Sequence, residues 1–329
     1  MPSQLAPVSL TRIQQPVHAE LDQVQPELRR IVAGDFPVVR EVNEHLLRLK
    51  GKLFRPTLVL LSARATDTLA PRSVTLSAVV ELIHLATLVH DDSVDHSVLR
   101  RGQPTINALF SHQVAVIMGD YLYSRAIMEL VRLDDLEPLR VLSRVTNELT
   151  VGEARELEAH DLLDYGEEQY EEMIRAKTAS LMSGACEIGA LTAPQAFREP
   201  LQRFGLHLGM AFQITDDLLD YAESESVTGK PSGLDLREHK ITLPLIAALP
   251  RMSPDERRMV QQLMSDPAPS EDAVANVVAL VERRDGLATT RERALGFALR
   301  ADQELERLPS TRARDALRDC ITYAVERRS

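Results

Sequence analysis

The chain has 329 residues, with 38 Lys plus Arg against 49 Asp plus Glu, a net charge of −11. Hydrophobic residues make up 44% and charged ones 26%, an ordinary globular balance; no uncharged apolar run of about eighteen residues stands out, so no membrane-spanning helix is expected. A pI near 5.4 argues against a nucleic-acid partner, which would call for a basic footprint, and aromatics at 4% with no Trp favour helices over β-sandwiches or barrels.

The N-terminus, MPSQLAPVSLTRIQQP, lacks the basic-then-apolar layout of a secretory leader, and residues 1–20 read as a loosely ordered tail. Segments 73–95, 112–131, 138–161, 167–192 and 196–223 read as helices, several of them apolar nearly all round and therefore buried. The loops are 67–72, the arginine-rich 96–104, and the Ser/Gly/Pro-dense 224–235. Ser253-Pro254-Asp255-Glu256 reads as an N-cap, a first-turn Pro and a capping-box Glu. Met259, Val260, Leu263 and Met264 follow it at helical spacing. Leu287, Ala288, Ala294, Leu295, Ala298, Leu299 and Leu305 are expected to mark one apolar face, and a last helix covers 310–326. No βαβ alternation and no linker are seen. One all-α domain over 1–329 is expected, its central apolar helices wrapped by the chain ends. Cys186 and Cys320 fit no zinc or redox spacing, so a reducing cytoplasm is expected.

Two aspartate clusters carry the chemistry. Asp91-Asp92-Ser93-Val94-Asp95 ends one apolar helix and Asp216-Asp217-Leu218-Leu219-Asp220 ends another. Helical positions i and i+4 share a face, so Asp91 and Asp95 point one way, as do Asp216 and Asp220. Three carboxylates on one turn repel unless something cationic sits there. Mg²⁺ binds a few carboxylates together with substrate phosphates. An EF-hand needs ligands at alternate positions around a Gly, and a di-iron bundle needs a second Glu-x-x-His beside Glu81-Leu-Ile-His84; neither is present. A solvated helix end would explain one such cluster, but two copies, each followed by a basic loop, point to a diphosphate–magnesium site. Candidate phosphate partners are Arg100, Arg101, Lys230, Lys240, Lys52 and Arg55 of GKLFRP, and Lys177-Thr178 inside the apolar run MIRAKTASLM. A solvated charge is the ordinary reading of any one of these, but an isolated buried Lys177 would be costly.

The segments GKLFRP, HLATLVHDDSVDHSVLRRGQP, GDYL, AKTASL, FQITDDLLDY and GKPSGLDLREHKITLP, in this order, make residues 40–250 resemble the trans-type polyprenyl diphosphate synthases. The resemblance implies an all-α isoprenoid-synthase bundle around a substrate cavity. It implies that Asp91, Asp92, Asp95, Asp216, Asp217 and Asp220 hold a cluster of Mg²⁺, three ions per site, on an allylic diphosphate. Arg100, Lys177, Thr178, Gln213, Lys230 and Lys240 would surround that diphosphate, with Lys177 among the catalytic groups. Lys52, Arg55, His84 and Arg101 would cradle isopentenyl diphosphate. A homodimer is implied as well. Three positions depart from the family pattern: Leu53 where a basic residue is frequent, His239 for a Gly before Lys240, and Glu156 for a Gln.

The implied reaction ionises an allylic C–O bond, adds the alkene of the second substrate and loses a proton. Metal ions and fixed cations suit the leaving diphosphate, and an apolar pocket keeps water from the cation. The released diphosphate is the expected proton acceptor, with His84 the only rival. One turn before Asp91 stand Ala86 and Thr87. Neither is bulky, so an open tunnel and a product beyond fifteen carbons are expected, with a floor deeper down, around 118–128. The rival readings are a short-chain farnesyl or geranylgeranyl synthase, a catalytic subunit of a heteromeric synthase, and, more distantly, a class I terpene cyclase.

Overall fold

The computed structural model describes residues 8–34, 36–48, 51–100, 102–158, 165–222 and 233–326. Its helices, in chain order, are α1 (Leu10–Gln14), α2 (His18–Val32), α3 (Pro37–Arg48), α4 (Phe54–Ala65), α5 (Pro71–Val94), α6 (Ile106–Leu109), α7 (His112–Arg132), α8 (Leu136–Glu158), α9 (Glu167–Ile174), α10 (Ser180–Gly189), α11 (Gln195–Ala222), α12 (Leu234–Arg237), α13 (Leu243–Ala248), α14 (Pro254–Ser265), α15 (Glu271–Arg283), α16 (Gly286–Leu305) and α17 (Arg312–Glu326). Among the described residues one short antiparallel hairpin, Leu99–Arg100 with Gln103–Pro104, interrupts this all-α arrangement.

Local chemistry sets the helix ends. Ser253 N–H donates to Glu256 Oε2 at 2.7 Å and Glu256 N–H donates back to Ser253 Oγ at 3.3 Å, the expected capping box. Ser9, Thr105, Ser111 and Ser270 cap α1, α6, α7 and α15 in the same way. α5, α4, α10 and α11 form the centre, where α10 lies against α4 and α11, and α11 against α16. A smaller apolar cluster, including Tyr221, Leu236, Leu245, Val260, Val277 and Leu280, sits under the C-terminal helices.

Four expectations need correction. Residues 8–20 are not a loose tail: Ser9 caps α1, and Ile13 and Val17 are fully buried against the core. α5 does have the length and apolarity of a membrane span over an 18-residue window, but 67% of that window is buried within the protein. The segment 167–192 is not one regular helix: a π-helical turn, Arg175–Ala179, joins α9 to α10. On α16, Leu295 and Leu299 are 51% and 60% exposed, while Ala294, Phe297, Ala298 and Leu305 are buried; a step of one residue rotates about 100° around the axis, so Leu295 and Leu299 leave the buried stripe.

Candidate active site

A cavity of about 1280 Å³ opens between α5, α8 and α11. Asp91, Asp95 and Asp216 line it, as do Lys52, Arg55, His84, Arg100, Lys177, Thr178, Gln213 and Lys240. Two predicted residues, Arg101 and Lys230, lie outside the described residues.

The six aspartates divide into two sets. Asp91, Asp95 and Asp216 face the cavity. The other three do not line it and are held by hydrogen bonds, while Asp95 itself lies 3.8 Å from Lys240. Asp92 is buried and accepts from Arg100 Nε with both oxygens, at 2.8 and 2.9 Å. Asp217 is buried and accepts from Tyr170 Oη at 2.5 Å and from Gln213 Nε2 at 2.8 Å. Asp220 accepts the backbone N–H groups of Leu234 and Asp235 at 3.2 and 3.1 Å, so it caps α12. Asp216 and Asp220 lie at i and i+4 within α11, as expected, and Asp220 carries the capping bond in addition.

The backbone around Lys177 is held from two sides. A Cβ on Gly152 of α8 would lie 2.6 Å from the Lys177 nitrogen, and one on Gly209 of α11 would lie 2.6 Å from Ala179 Cα. Only glycine lets both helices approach the π turn this closely. π turns concentrate at functional positions, because the extra residue re-aims a side chain. Here Lys177 Nζ contacts Glu156 and lies 3.0 Å from Glu153 Oε2. Thr178 Oγ1 donates to Gln213 Oε1 at 2.9 Å, which orients the Gln213 amide for its bond to Asp217. Burial alone would lower the Lys177 ammonium, but Glu156, Glu153 and Asp91 hold it well above its usual range.

At the other end of the cavity entrance, Leu53 adopts a left-handed backbone, φ 48°, a conformation that is strained for a branched side chain. It starts α4 and leaves Phe54 stacked on Phe212, ring centroids 5.7 Å apart, and tilted against Tyr323 at 5.8 Å. Lys52 Nζ sits 6.0 Å from the Tyr323 ring centre. The departure at His239 keeps the glycine-like geometry: its φ is 57°, and its ring bonds the Asp266 carbonyl at 2.8 Å. Lys240 follows, 2.8 Å from Glu238 and 3.8 Å from Asp95.

Sequence reasoning passed over Glu153, Tyr170 and Asp235. Glu153 lines the cavity, and Asp235 lines an adjoining pocket of about 390 Å³ with Asp217 and Lys240. Glu153 and Glu156 stand three apart on α8, a spacing that puts them on one face and was the available signal. Tyr170 gave none, since a buried phenol is invisible without its partner.

The electrostatics fit a divalent cation. Burial pushes the Asp91 carboxyl up to about 7, and Glu153 adds to the effect. Burial also raises Glu153, Asp217 and Asp235. The site is thus rich in carboxylates that lack enough cationic compensation. Among the described residues no three His, Cys, Asp or Glu side chains form a ready metal cage.

A stability test follows from Asp91. Its folded value of about 7 lies above its ordinary 3.8, so its contribution to stability is full below about pH 4 and is lost as pH rises through 7. In EDTA at pH 8, Asp91→Asn should melt higher than the parent by roughly 2–4 °C, on the order of 1 kcal/mol. The gap should narrow steadily toward pH 5. An equal or lower melting point at pH 8 would contradict the burial argument.

On its distal side the cavity passes Ile83, Ala86 and Thr87 of α5 and reaches Tyr123 of α7. Within 118–128, where the floor is expected, Asp120 and Tyr123 line the cavity, whereas Met118 is buried in the core and Met128 is exposed. Tyr123 Oη and Thr146 Oγ1 are 3.2 Å apart across α7 and α8. The wall is less uniformly apolar than expected, since α8 contributes Ser143, Thr146, Asn147 and Thr150 at helical spacing.

The family model described as Polyprenyl synthetase matches residues 36–281. The chain is 38% identical over 314 residues to an all-trans-nonaprenyl-diphosphate synthase (geranyl-diphosphate specific) of Rhodobacter capsulatus, covering 95% of this chain and 96% of that protein. It is 36% identical over 312 residues to heptaprenyl diphosphate synthase component 2 of Geobacillus stearothermophilus, covering 94% and 96%. Its fold matches the crystal structure of a polyprenyl synthase from Caulobacter crescentus CB15 complexed with calcium and isoprenyl diphosphate, with TM-score 0.92, 33% identity, and 99% and 100% of the two chains covered.

Proposed function

Because the chain belongs to the polyprenyl synthetase family, we propose that it condenses isopentenyl diphosphate with an allylic diphosphate, releases diphosphate, and yields a medium-to-long all-trans polyprenyl diphosphate. It is a prenyltransferase, and its relatives named for seven-, eight- and nine-unit products place it among the medium-to-long chain synthases. The observation that carries the reading is one cavity in which Asp91, Asp95 and Asp216, two groups of cations, and a channel past Ala86 and Thr87 are continuous.

In this reading Asp91, Asp95 and Asp216 hold Mg²⁺, three ions in all, while Asp92, Asp217 and Asp220 keep Arg100, Gln213 and the start of α12 in place. Mg²⁺ bound there would neutralise the leaving diphosphate as a Lewis acid. Lys177, Arg100 and Lys240, with Lys230 by its motif, bind the allylic diphosphate. Lys52, Arg55 and His84, with Arg101 by its motif, bind isopentenyl diphosphate; this second cradle favours elongation over cyclisation. Ile83, Ala86, Leu149, Leu181 and Phe212 exclude water from the cation. The outward face of α7 leaves Val116, Ile117, Met128 and Val131 exposed, Ile117 by 64%. A patch of this kind marks an association surface, and a second copy of the chain is the partner proposed. The two buried free thiols, Cys186 and Cys320, suit a reducing cytoplasm.

The test is the purified protein alone with Mg²⁺, farnesyl diphosphate and labelled isopentenyl diphosphate, the dephosphorylated products sized by reverse-phase chromatography. Products beyond twenty carbons are expected. Turnover that stops at twenty carbons with excess isopentenyl diphosphate would refute the medium-to-long chain reading. The heptaprenyl relative is by name one component of a synthase, which favours one second reading, the catalytic subunit of a heteromer; turnover only after adding another subunit would decide for it.

A further inference from the structure

Lys177 has more negative partners than one cation can balance. Its ammonium contacts Glu156 and lies 3.0 Å from Glu153 Oε2, and Asp91 acts on it as well. Its side chain is 22% exposed and that of Glu156 is 28% exposed, so solvent screens the cluster only in part. Glu153 alone would neutralise the ammonium. Glu156 is then a further charge, felt at longer range by Lys240 as well; it lines the adjoining pocket that shares Lys177 with the cavity, beside the place where a polyanionic diphosphate would bind. The π turn carrying Lys177 is pinned between Gly152 and Gly209, so the backbone cannot retreat from α8. Lys177 must therefore exchange partners by side-chain rotation, and its three donors are divided between the glutamates and any incoming phosphate.

We propose that Glu156 is a selectivity residue for the form of the substrate: by occupying Lys177 it disfavours free diphosphate and admits diphosphate that arrives with divalent cation. The inference rests on reading Lys177 as a diphosphate ligand. A metal-bound diphosphate carries positive charge to set against Glu156 and Asp91, whereas a bare one meets them directly. Glu156 acts through Lys177 and is a positioning residue, with no contact to reacting atoms required.

Isothermal titration with inorganic pyrophosphate, in EDTA and in saturating Mg²⁺, tests this on the parent chain, on Glu156→Gln and on Glu172→Gln. Glu172 pairs with Arg155 on the surface, so its variant makes the same change in net charge away from Lys177. For the parent, binding should depend strongly on Mg²⁺. In Glu156→Gln the metal-free affinity should rise at least about tenfold, ~1.4 kcal/mol, and the ratio between the two conditions should fall correspondingly. Glu172→Gln should match the parent. Unchanged metal-free affinity in Glu156→Gln, or weaker binding in both conditions, overturns the proposal, since Glu156 would then only brace Lys177. An equal gain in Glu172→Gln overturns it too, as an effect of overall charge. Failure of the parent to bind pyrophosphate even with Mg²⁺ would instead remove the underlying reading of the Lys177 site. If Glu156→Gln does not fold, Glu156→Ala takes its place with the same expectations.

Discussion

Asp216→Asn should lower kcat/KM for elongation about 10³-fold while the melting temperature stays within a few degrees of the parent. Asp216 is the member of the second cluster that lines the cavity, so its loss removes the proposed cation ligand without opening the core. Each tenfold in rate corresponds to about 1.4 kcal/mol of barrier, and a fixed charge that stabilises a leaving diphosphate is worth several kcal/mol. Asparagine keeps the size and one acceptor oxygen, which isolates the charge. Steady-state kinetics over a Mg²⁺ series would show whether added metal restores part of the rate. A loss under about tenfold would mean that Asp216 is peripheral to the leaving group.

Ala86→Phe should shorten the product by at least one five-carbon unit. Ala86 is 3% exposed and still borders the cavity, as do Thr87 and Ile83 on the same face of α5. A benzyl group there has to occupy channel volume or disturb the helix packing, at a cost of about 1–3 kcal/mol if it overpacks. The observable is the chain-length distribution, which is independent of how much enzyme folds. A distribution unchanged at retained turnover would show that the tail takes another path, for instance along the polar stripe of α8.

Much of this was legible in the chain. Helical period and caps located the central helices, and the two aspartate clusters with their flanking cations located the site. The expectation that Asp91 and Asp95 point the same way matches their place in one cavity. For the second cluster it did not foresee that Asp220, near the end of α11, also accepts the first backbone N–H groups of α12. Tyr170 was out of reach, since its role exists only through a contact 47 residues away. The π turn was hidden for a different reason: one inserted residue breaks the 3.6 period so briefly that the flanking apolar pattern absorbs it. Leu295 and Leu299 misled because leucine on a helix is apolar whichever way it faces.

The geometry of α5 has a further consequence. The same rod carries Asp91 and, one and two turns back along the same face, Thr87, Ala86 and Ile83, all bordering one cavity. An α-helix advances 5.4 Å per turn, and an extended isoprene unit is of roughly the same length. On the proposed function the helix would be a ruler graduated in the units of its product. A bulky side chain moved by one turn along α5 should then shift the stopping point by about one addition, with the diphosphate end left where it is.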